Sequence, residues 1–469
     1  MAPERVRPKV GLLGLTLEFY EGAAPHLREG REAWVRREVL PALEPVADVT
    51  FGGAAYTRED VAARVAECEQ AGCDALLVIL LTYSPSQIAL PELKATDLPV
   101  IVWNTQELYG IGKDFTGAEM TDNHGVHGTQ DLANVLLREG VDFAYVTSHL
   151  QDEDVLAELT DFFAAATAVR GLKKAKLGIL GYPFPGMGDF ALDTTHMVGT
   201  LGCEWTTMPM AEYILRAAEA PEDAVRNLVA EYRDAYDMSA EATEEELDAT
   251  ARVEIALRGM VEERGLDGFT YQFLAFGEDK RALTLPFVGA SRLMGEGLGF
   301  GGEGDLIAAA GSALLNRLQP PASFTEMFTV DYGGNSVLLS HMGEANVAMA
   351  CEDRKVPLAV RPKKITPTRE RQLALVTTFR SGPATLCALT IGPGRDWRLI
   401  AAAGEVLDFG PLDSMQVPHS KFAPEGDVRD FLTGYARAGG PHHCALCFGD
   451  ARRRIRMAAD LSGADYREV

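Results

Sequence analysis

Short, uninterrupted apolar runs alternate with segments of helical periodicity over the first third of the chain. The apolar runs are VGLLGL at 10–15, DALLVILL at 74–81 and PVIVWN at 99–104, and helical patterns cover about 26–40 and 57–71. Strands without a polar face are typical of parallel sheets that are covered by helices on both faces. The pattern therefore predicts an open, doubly wound α/β domain.

A second α/β pattern and then a β-rich pattern follow. AKLGILG, from 175, and GFTYQFLAF, at 268–276, predict further strands, and from about 326 β-branched runs between turn residues indicate antiparallel strands. Because 469 residues exceed what one hydrophobic core usually supports, several domains are expected. We predict two Rossmann-like, doubly wound α/β domains followed by a β-rich, antiparallel, barrel-like domain, with the bounds 1–172, 173–325 and 326–469.

Composition and charge exclude several kinds of partner. The net charge of -24, from 44 basic and 68 acidic residues, repels phosphate backbones, so we expect no nucleic-acid partner. No apolar stretch reaches the ~20 residues needed to cross a bilayer, so we expect no membrane partner. Seven scattered cysteines, an odd number, and an N-terminus without a cleavage site behind a long apolar core predict a cytoplasmic protein.

Segments that directly follow predicted strands are candidate binding sites, because α/β sheets bind ligands at the carboxyl ends of their strands. They are LEFY at 17–20, TYSPS at 82–86 and NTQELYG at 104–110. All three lie in the first predicted domain.

The glycine run GLGFGGEGD, at 297–305, formally contains the Gly-x-Gly-x-x-Gly pattern of dinucleotide-binding proteins. That fingerprint follows a strand, whereas these glycines follow ASRLMGEG, which has a helical pattern. Asp305 is a candidate N-cap of the helix LIAAAGSALLN. Glu303, just before this helix, stays ionised in the field of the helix dipole, so it is either a metal ligand or a solvated acid.

Three further positions carry side chains that bind metals in other proteins. Glu326 lies in the mostly apolar segment TEMFTVDY, His341 ends the apolar run SVLLSHM, and His442 and His443 are adjacent in the glycine-rich turn of GGPHHCALCF. Taken alone, each has a structural alternative. Glu326 could face solvent, and a histidine at a strand end is more often a satisfied structural group.

Cys444 and Cys447, in the same segment, raise the question of a zinc or redox site. A structural zinc site usually needs four ligands, and the nearest other cysteine, Cys387, has no partner near it in sequence. A thioredoxin-like pair would end a strand that enters a helix, whereas this pair follows a turn in the β-rich domain. We therefore predict that both cysteines are small buried residues and that glycines 439 and 440 supply flexible backbone.

Four segments together resemble the L-arabinose isomerase family and, more distantly, the L-fucose isomerase group. They are LPFVGASRLMGEGLGFGGEGD (285–305), TEMFTVDY, NSVLLSHMGE and AGGPHHC, in the order and at about the spacing of the family. Weaker matches are LLTYSPS, NTQ and DNHGVHG. The resemblance implies two Rossmann-like domains followed by a β-rich domain, and a ketol isomerase of carbohydrate metabolism.

The resemblance implies four metal ligands, namely Glu303, Glu326, His341 and the second of the paired histidines, His443, with His442 as the alternative. Two carboxylates and two imidazoles that leave open positions suit Mn²⁺, or another divalent metal such as Co²⁺ or Mg²⁺. In this family a proton moves between C1 and C2 of a sugar through an enediolate that the metal stabilises. Glu303 and Glu326 would be the base and the acid.

The resemblance also implies roles for the N-terminal loops. His127 would be the proton shuttle for ring opening, unless it is only a histidine at a helix cap. The substrate-binding residues would be Thr16, Glu18, Thr82, Ser84 and Gln106. The family's assembly implies a homo-oligomer, either a hexamer, a trimer or a tetramer, with sites at subunit contacts.

The first loop departs from the family pattern. Where the family has Gly-Ser-Gln-His-Leu-Tyr-Gly, this chain has GLTLEFYEG, with Thr16 near the glutamine position and Glu18 near the leucine. A carboxylate there could hydrogen-bond an extra hydroxyl group, so we expect a sugar other than L-arabinose. Two alternatives from other classes are a non-catalytic sugar-binding protein and an NAD-linked oxidoreductase that uses the glycine run.

Overall fold

The computed structural model describes residues 6–152, 154–362 and 371–469. They form two compact units, Val6–Arg170 and Gly171–Val469. Residues 1–5, part of the N-terminus on which the prediction of no leader rests, lie outside the described residues. Within the described part of the chain, no helix is both long and apolar enough to span a membrane. The predicted domain boundaries near 172 and 326 stay predictions.

The first unit contains a five-stranded parallel sheet with the strand order β2-β1-β3-β4-β5. Its strands are β1 (Lys9–Leu15), β2 (Asp48–Thr50), β3 (Ala75–Leu80), β4 (Val100–Asn104) and β5 (Phe143–Thr147). Its helices are α1 (Phe19–Ala23), α2 (His26–Trp34), α3 (Leu40–Leu43), α4 (Arg58–Gln70), α5 (Ser86–Ala95), α6 (Gly117–Asp122), α7 (Val126–Arg138) and α8 (Ala157–Lys173), with a π-helical segment (Val35–Val39) between α2 and α3.

The apolar runs become central strands because both of their faces are covered. All six residues of β3 are buried, and β1 pairs with β3 from Val10↔Ala75 to Leu15↔Leu80. The strand order reverses at this pair, since β2 lies on the other side of β1. Parallel α/β sheets bind ligands at such a reversal, beyond the carboxyl ends of the strands. The prediction of parallel α/β structure is confirmed, and the Rossmann-like, doubly wound description stays a prediction.

The second unit contains a four-stranded parallel sheet with the order β10-β9-β6-β7. Its strands are β6 (Lys176–Leu180), β7 (Glu204–Met208), β9 (Gly268–Tyr271) and β10 (Gly299–Gly301). The helices of this part are α9 (Thr194–Thr200), α10 (Met210–Ala218), α11 (Glu222–Ala235), α12 (Glu244–Arg264), α13 (Phe273–Glu278), α14 (Phe287–Gly295) and α15 (Leu306–Leu318).

Strand β9 is shorter than the sequence predicts. The apolar run GFTYQFLAF leaves the sheet after Tyr271, and α13 begins at Phe273. Gln272 caps this helix, because its side-chain oxygen accepts a hydrogen bond from the backbone N–H of Leu274 at 3.2 Å. The prediction of a strand up to 276 is therefore wrong in its second half. Periodicity alone does not separate a short buried helix from a buried strand.

Six antiparallel strands of the second unit close into a barrel. Their order is β15-β18-β11-β12-β17-β16, and β16 pairs back to β15. The strands are β11 (Ala322–Asp331), β12 (Ser336–Ser340), β15 (Gly382–Ile391), β16 (Trp397–Leu407), β17 (His419–Pro424) and β18 (His443–Phe448), and β19 (Asp465–Glu468) adds parallel to β16. The prediction of an antiparallel, barrel-like sheet is confirmed.

The second unit contains further elements that belong to neither the four-stranded sheet nor the barrel. A separate three-stranded sheet consists of β8 (Asp237–Met238), β13 (Pro357–Pro362) and β14 (Arg371–Leu375). The helical segments are a 3-10 turn (Val347–Met349), α16 (Val428–Arg437) and α17 (Arg452–Ser462). Helix α16 ends just before the paired histidines, so the turn that follows it leads directly into β18.

Candidate metal centre

Three neighbouring barrel strands bring one carboxylate and two imidazoles together. Glu326 on β11 pairs with His443, the first residue of β18, and on its other side with Ser340, the last residue of β12. His341 follows Ser340 directly. Cross-strand neighbours on one face of a sheet lie within side-chain contact. Ligand atoms of Glu326, His341 and His443 accordingly lie within 4.8 Å of one another.

Glu303 reaches the same region from the other sheet. It follows β10 at the carboxyl end of the four-stranded sheet, and its φ of 59° lies in the left-handed region, where a non-glycine residue is strained. Its carbonyl holds this conformation by accepting hydrogen bonds from Phe184 N at 3.0 Å and Gln272 Nε2 at 3.3 Å. Strain of this kind is found where the position of a functional side chain is fixed.

Glu303 forms a second group with the paired histidines. Its Oε2 lies 3.8 Å from His442 Nε2 and 3.9 Å from His443 Nε2, and ligand atoms of the three residues lie within 4.8 Å of one another. The four ligands predicted from the resemblance therefore fall into two groups that share His443. The prediction that both histidines lie in a turn holds for His442 and is wrong for His443, which begins β18.

Buried carboxylates orient the two buried imidazoles. His443 Nδ1 donates to Asp305 Oδ2 at 2.9 Å, and His341 Nδ1 donates to Glu344 Oε2 at 2.6 Å. Asp305 also caps α15, since its Oδ1 accepts from Ala308 N at 2.8 Å, and the predicted N-cap is confirmed. With Nδ1 engaged, each ring offers its Nε2 lone pair, which is how metal-bound histidines are commonly oriented.

The donor atoms fit a divalent metal ion. Nε2 of His442 and Nε2 of His443 are buried, and neither has a hydrogen-bond partner among the described residues. A buried polar atom without a partner is costly, so such an atom usually serves a ligand. Imidazole nitrogens beside carboxylate oxygens are a donor set that suits divalent first-row metals. His442, His443, His341, Glu303 and Glu326 could hold such an ion.

Close pairing of histidines with carboxylates shifts the pKa values of the site. Burial lowers the pKa of His341, but the carboxylates of Glu344, Glu326 and Glu303 together raise it by more, so this pKa lies above its usual value. Burial raises the pKa of Glu344, but His341, Tyr271 and Arg361 together lower it by more, so that pKa lies below its usual value. For His442, burial lowers the pKa, whereas Glu303 and Asp189 raise it to about 9. A metal ion would therefore displace protons from these histidines.

Close packing of the glycine run against the barrel side chains leaves little free volume. A Cβ on Gly302 would lie 2.9 Å from His341 Nε2 and 3.0 Å from Phe324 Cζ, so only glycine fits there. A cavity of about 90 Å³ opens beside the site. It is lined by Tyr271, Phe273, Phe287, Glu303, His341, Met342 and Glu344.

The glycine run follows α14 rather than a strand, which removes the structural context of a dinucleotide fingerprint.

The predicted substrate-binding residues lie in the first unit, at the carboxyl end of its sheet. Thr16, Thr82 and Ser84 are buried in the segments that follow β1 and β3. The hydroxyl oxygens of Thr16 and Ser84 have no hydrogen-bond partner among the described residues. Glu18 is exposed, and Gln106 is half-buried, with its Nε2 donating to Leu108 O at 2.7 Å.

His127 lies in the first turn of α7 and is exposed. Its ring stacks on Tyr83 with centroids 4.7 Å apart and planes 5° apart. The His124 ring lies next to the His127 ring, with centroids 5.6 Å apart. Nε2 of His124 forms a hydrogen bond with Tyr20 OH at 2.9 Å. The predicted shuttle histidine therefore belongs to an aromatic cluster at the same edge of the sheet as the unpaired hydroxyl groups.

Three residues that hold side chains of the candidate metal centre are missing from the sequence-based prediction. Asp189, in the loop after β6, holds His442 Nδ1 at 2.5 Å and His442 N at 3.1 Å. Glu344 follows His341 by three residues, and Tyr271 donates a hydrogen bond to it. Only Glu344 has a sequence signal, an acidic residue close behind a candidate histidine.

The prediction for the cysteines is confirmed. Cys444 and Cys447 are free and buried in β18, and burial raises the pKa of both thiols. Gly439 has a φ of +84°, and a Cβ on Gly440 would lie 2.2 Å from the Tyr435 ring. The glycines therefore allow a tight turn and close packing after α16.

Comparison with known protein families covers most of the chain. The L-arabinose isomerase central domain matches residues 192–319, and the L-arabinose isomerase C-terminal domain matches residues 321–465. Residues 36–173 match the N-terminal domain of fucose/sulfoquinovose isomerases. The metal centre lies in the part that matches L-arabinose isomerases, apart from Asp189.

The chain is also similar to individual L-arabinose isomerases over most of its length. An L-arabinose isomerase from a Nocardioides species is 28% identical over 413 residues, which are 84% of this chain and 80% of that protein. One from Acidothermus cellulolyticus is 27% identical over 415 residues, with the same coverage, 84% and 80%. An ABC-transporter solute-binding protein from Agrobacterium vitis, bound with α-D-tagatopyranose, aligns with 56% of this chain and 76% of that chain at 15% identity, but its TM-score of 0.16 supports no fold assignment. The sequence relatives and the two adjoining domain matches lead to one conclusion: the chain belongs to the L-arabinose isomerase family, a family of aldose-ketose isomerases, and is an isomerase of the intramolecular oxidoreductase class.

Proposed function

We propose that this protein is a metal-dependent aldose-ketose isomerase that moves a proton between C1 and C2 of a sugar. The observation that carries the proposal is the pair of buried imidazoles, His341 and His443, whose Nδ1 atoms are held by the carboxylates of Glu344 and Asp305. Their Nε2 atoms are thereby left to a ligand beside Glu326. A purely structural histidine pair would have no reason to leave His443 Nε2 buried and unpaired.

The proposed ligands are Glu303, Glu326, His341 and His443. Two carboxylates and two imidazoles suit Mn²⁺, or Co²⁺ or Mg²⁺, better than a closed thiolate site would. When bound, the ion supplies positive charge that stabilises the negative charge developing on O1 and O2 of the sugar.

The two glutamates then do the proton transfer. One carboxylate takes the proton from C2 of the aldose and returns it to C1, and the other moves a hydroxyl proton from O2 to O1 through the enediol stage. The fixed backbone at Glu303 keeps its carboxylate in place during this exchange. His341 and His443, each held by a carboxylate, keep their orientation throughout.

The proposed substrate is a sugar other than L-arabinose. Supporting this, the first unit matches the N-terminal domain of fucose/sulfoquinovose isomerases, whereas the remainder matches L-arabinose isomerases. Buried hydroxyl groups of Thr16 and Ser84 that lack partners among the described residues are suited to sugar hydroxyls. Glu18 supplies an exposed acceptor for an additional hydroxyl group. Thr82 and Gln106 complete the proposed substrate contacts, and His127 is the proposed shuttle for ring opening.

We also propose a cytoplasmic homo-oligomer, either a hexamer, a trimer or a tetramer, with active sites at subunit contacts. Exposed apolar side chains of the first unit, three on the short helices α1 and α6 and the start of α7 and two on the loop after β4, support association with a protein surface. They are Phe19, Tyr109, Ile111, Met120 and Val126. Light scattering of the purified protein gives the subunit number, and a monomer at assay concentration would contradict this part of the proposal.

The test is a sugar panel assayed with Mn²⁺ and without nicotinamide, including L-arabinose, L-fucose and sulfoquinovose beside other pentoses and hexoses. We expect best activity on a sugar other than L-arabinose. Glu326→Gln keeps the shape of the side chain but removes its basicity, and we expect kcat to fall by roughly 10²–10⁴-fold.

The matched control is Glu405→Gln, which changes an exposed glutamate on barrel strand β16 and should leave activity unchanged. Best activity on L-arabinose would refute the substrate proposal. Full activity of Glu326→Gln would refute the mechanism.

A further inference from the structure

The metal centre contains two groups of ligands rather than one. The inner group consists of Glu326, His341 and His443, and the outer group consists of Glu303, His442 and His443. His443 Nδ1 is engaged with Asp305, so His443 offers only Nε2. One nitrogen lone pair binds one ion at a time, so the two groups cannot hold two ions through His443 at once, and they fit a single ion that occupies them in turn.

The two groups differ in their access to solvent. In the inner group, the side chains of His341 and His443 are 5% and 0% exposed, and Glu326 is half-buried. In the outer group, the side chains of Glu303 and His442 are 16% and 31% exposed. An ion that arrives from solvent therefore meets the outer group first.

His442 is oriented as a ligand although the inner group does not use it. Asp189 Oδ2 holds its Nδ1 at 2.5 Å and its backbone N–H at 3.1 Å, which fixes the ring. Its Nε2 is buried, lacks a hydrogen-bond partner among the described residues and lies 3.8 Å from Glu303 Oε2. This arrangement repeats the carboxylate–imidazole pairs at His341 and His443.

We propose that His442 is a metal ligand at an outer loading position, from which the ion passes to the inner group by way of His443; this inference rests on the proposed function. A hydrated divalent ion loses its waters one after another. The outer group supplies a carboxylate and two imidazoles where the ion still has contact with solvent. Glu326 and His341 then replace His442, while Glu303 and His443 stay bound, which gives the four ligands of the proposed function. Asp189 acts as the positioning residue of His442.

This role has a kinetic signature. A residue that binds the ion only on its path stabilises the path in both directions, so its loss slows association and dissociation alike and leaves the equilibrium affinity unchanged. A permanent ligand behaves differently, because its loss weakens the affinity and speeds dissociation.

The experiment measures Mn²⁺ association and dissociation by stopped flow, with a fluorescent chelator that reports free Mn²⁺. For His442→Asn we expect both rates to fall by about tenfold and Kd to stay within about twofold of the wild type. Asp189→Asn keeps the imidazole but loosens it, and both rates should fall by a smaller factor. His196→Asn is the control, because it removes a histidine of the same unit whose Nε2 contacts Arg395 O at 2.7 Å.

The measured rates and affinities decide whether His442 is a transient ligand of the ion. Unchanged rates in His442→Asn overturn this inference while the proposed function stands. A weakened Kd with faster dissociation also overturns it, because His442 would then be a permanent ligand. If His442→Asn does not fold, the rates of Asp189→Asn decide by the same criteria. A wild-type protein that binds no Mn²⁺, Co²⁺ or Mg²⁺ overturns the proposed function itself, and this inference with it.

Discussion

Asp305 uses its two carboxylate oxygens for two different purposes. Oδ1 caps α15 through Ala308 N, and Oδ2 accepts the hydrogen bond from His443 Nδ1. A helix N-terminus stabilises the negative charge that the imidazole requires of its partner. The start of one helix therefore fixes both a local backbone geometry and the tautomer of a candidate metal ligand.

The Asp305→Asn variant distinguishes the capping of α15 from the orientation of His443. Asparagine also caps helices, so Asp305→Asn should change the free energy of unfolding by less than about 1 kcal/mol. It removes the charged partner of His443, so we expect the Mn²⁺ affinity to fall about 10–100-fold. Isothermal titration with Mn²⁺ gives the affinity, and urea denaturation gives the stability.

Asp427→Asn is the matched control for Asp305→Asn. Asp427 caps α16 by accepting from Arg429 N at 2.7 Å. Its replacement should leave the Mn²⁺ affinity unchanged. Equal Mn²⁺ affinities for wild type and Asp305→Asn would show that this carboxylate does not orient a metal ligand.

At the residue scale, sequence motifs indicate the candidate ligands but not what holds them. Glu303, Glu326, His341 and His443 stand in segments that resemble a known family, and that resemblance rather than any pattern in the residues selects them. Asp189 contacts His442 across 253 positions of sequence. A contact between two irregular loops leaves no periodicity in the sequence, so nothing in the chain predicts it.

At the scale of secondary structure elements, a buried charge network joins α12 to α14, the helix before the glycine run. Glu254 on α12 is fully buried. It accepts hydrogen bonds from Tyr232 OH at 2.7 Å and Arg258 Nε at 2.8 Å, and it pairs with Arg292 Nε on α14 at 2.9 Å. The helices approach closely here, since a Cβ on Gly289 would lie 3.2 Å from Glu254 Cα.

Removing this buried charge should destabilise the protein. Glu254→Gln leaves two arginines without their shared carboxylate, and we expect the free energy of unfolding to fall by about 3 kcal/mol. Urea denaturation measures it. Glu263→Gln, which breaks an exposed pair with Arg216, is the control and should cost less than about 1 kcal/mol. Equal stability of the two variants would contradict a role for Glu254 in joining the helices.

The sequence predicts elements best where burial is uniform. β1, β3 and β4 follow from uninterrupted apolar runs, and barrel strands β12, β15 and β16 follow from runs with β-branched residues between turns. β17 and β18 contain no β-branched residue and do not follow from that pattern. The end of β9 does not follow, because a single side-chain cap, Gln272, decides between strand and helix. β8, with two residues, is too short to carry any pattern.

At the scale of the whole molecule, the candidate metal centre is assembled from distant parts of the second unit. Glu303 comes from the carboxyl end of a parallel sheet, whereas Glu326, His341 and His443 come from three strands of the barrel. None of these positions is set by local structure alone, so the donor set forms only when both sheets are folded. A metal ion bound by this donor set would therefore link metal binding to the folding of this unit.

In the proposed mechanism, a metal ion and two glutamates of this chain interconvert an aldose and a ketose by proton transfer. The most direct measurement follows this conversion by NMR in D₂O, with the best sugar of the panel, first with metal-depleted protein and then after Mn²⁺ is added. We predict no conversion without metal, restored conversion with Mn²⁺ and no nicotinamide, and deuterium at the carbon that gains the proton. Conversion that persists in excess chelator, or that requires a nicotinamide, would contradict the account.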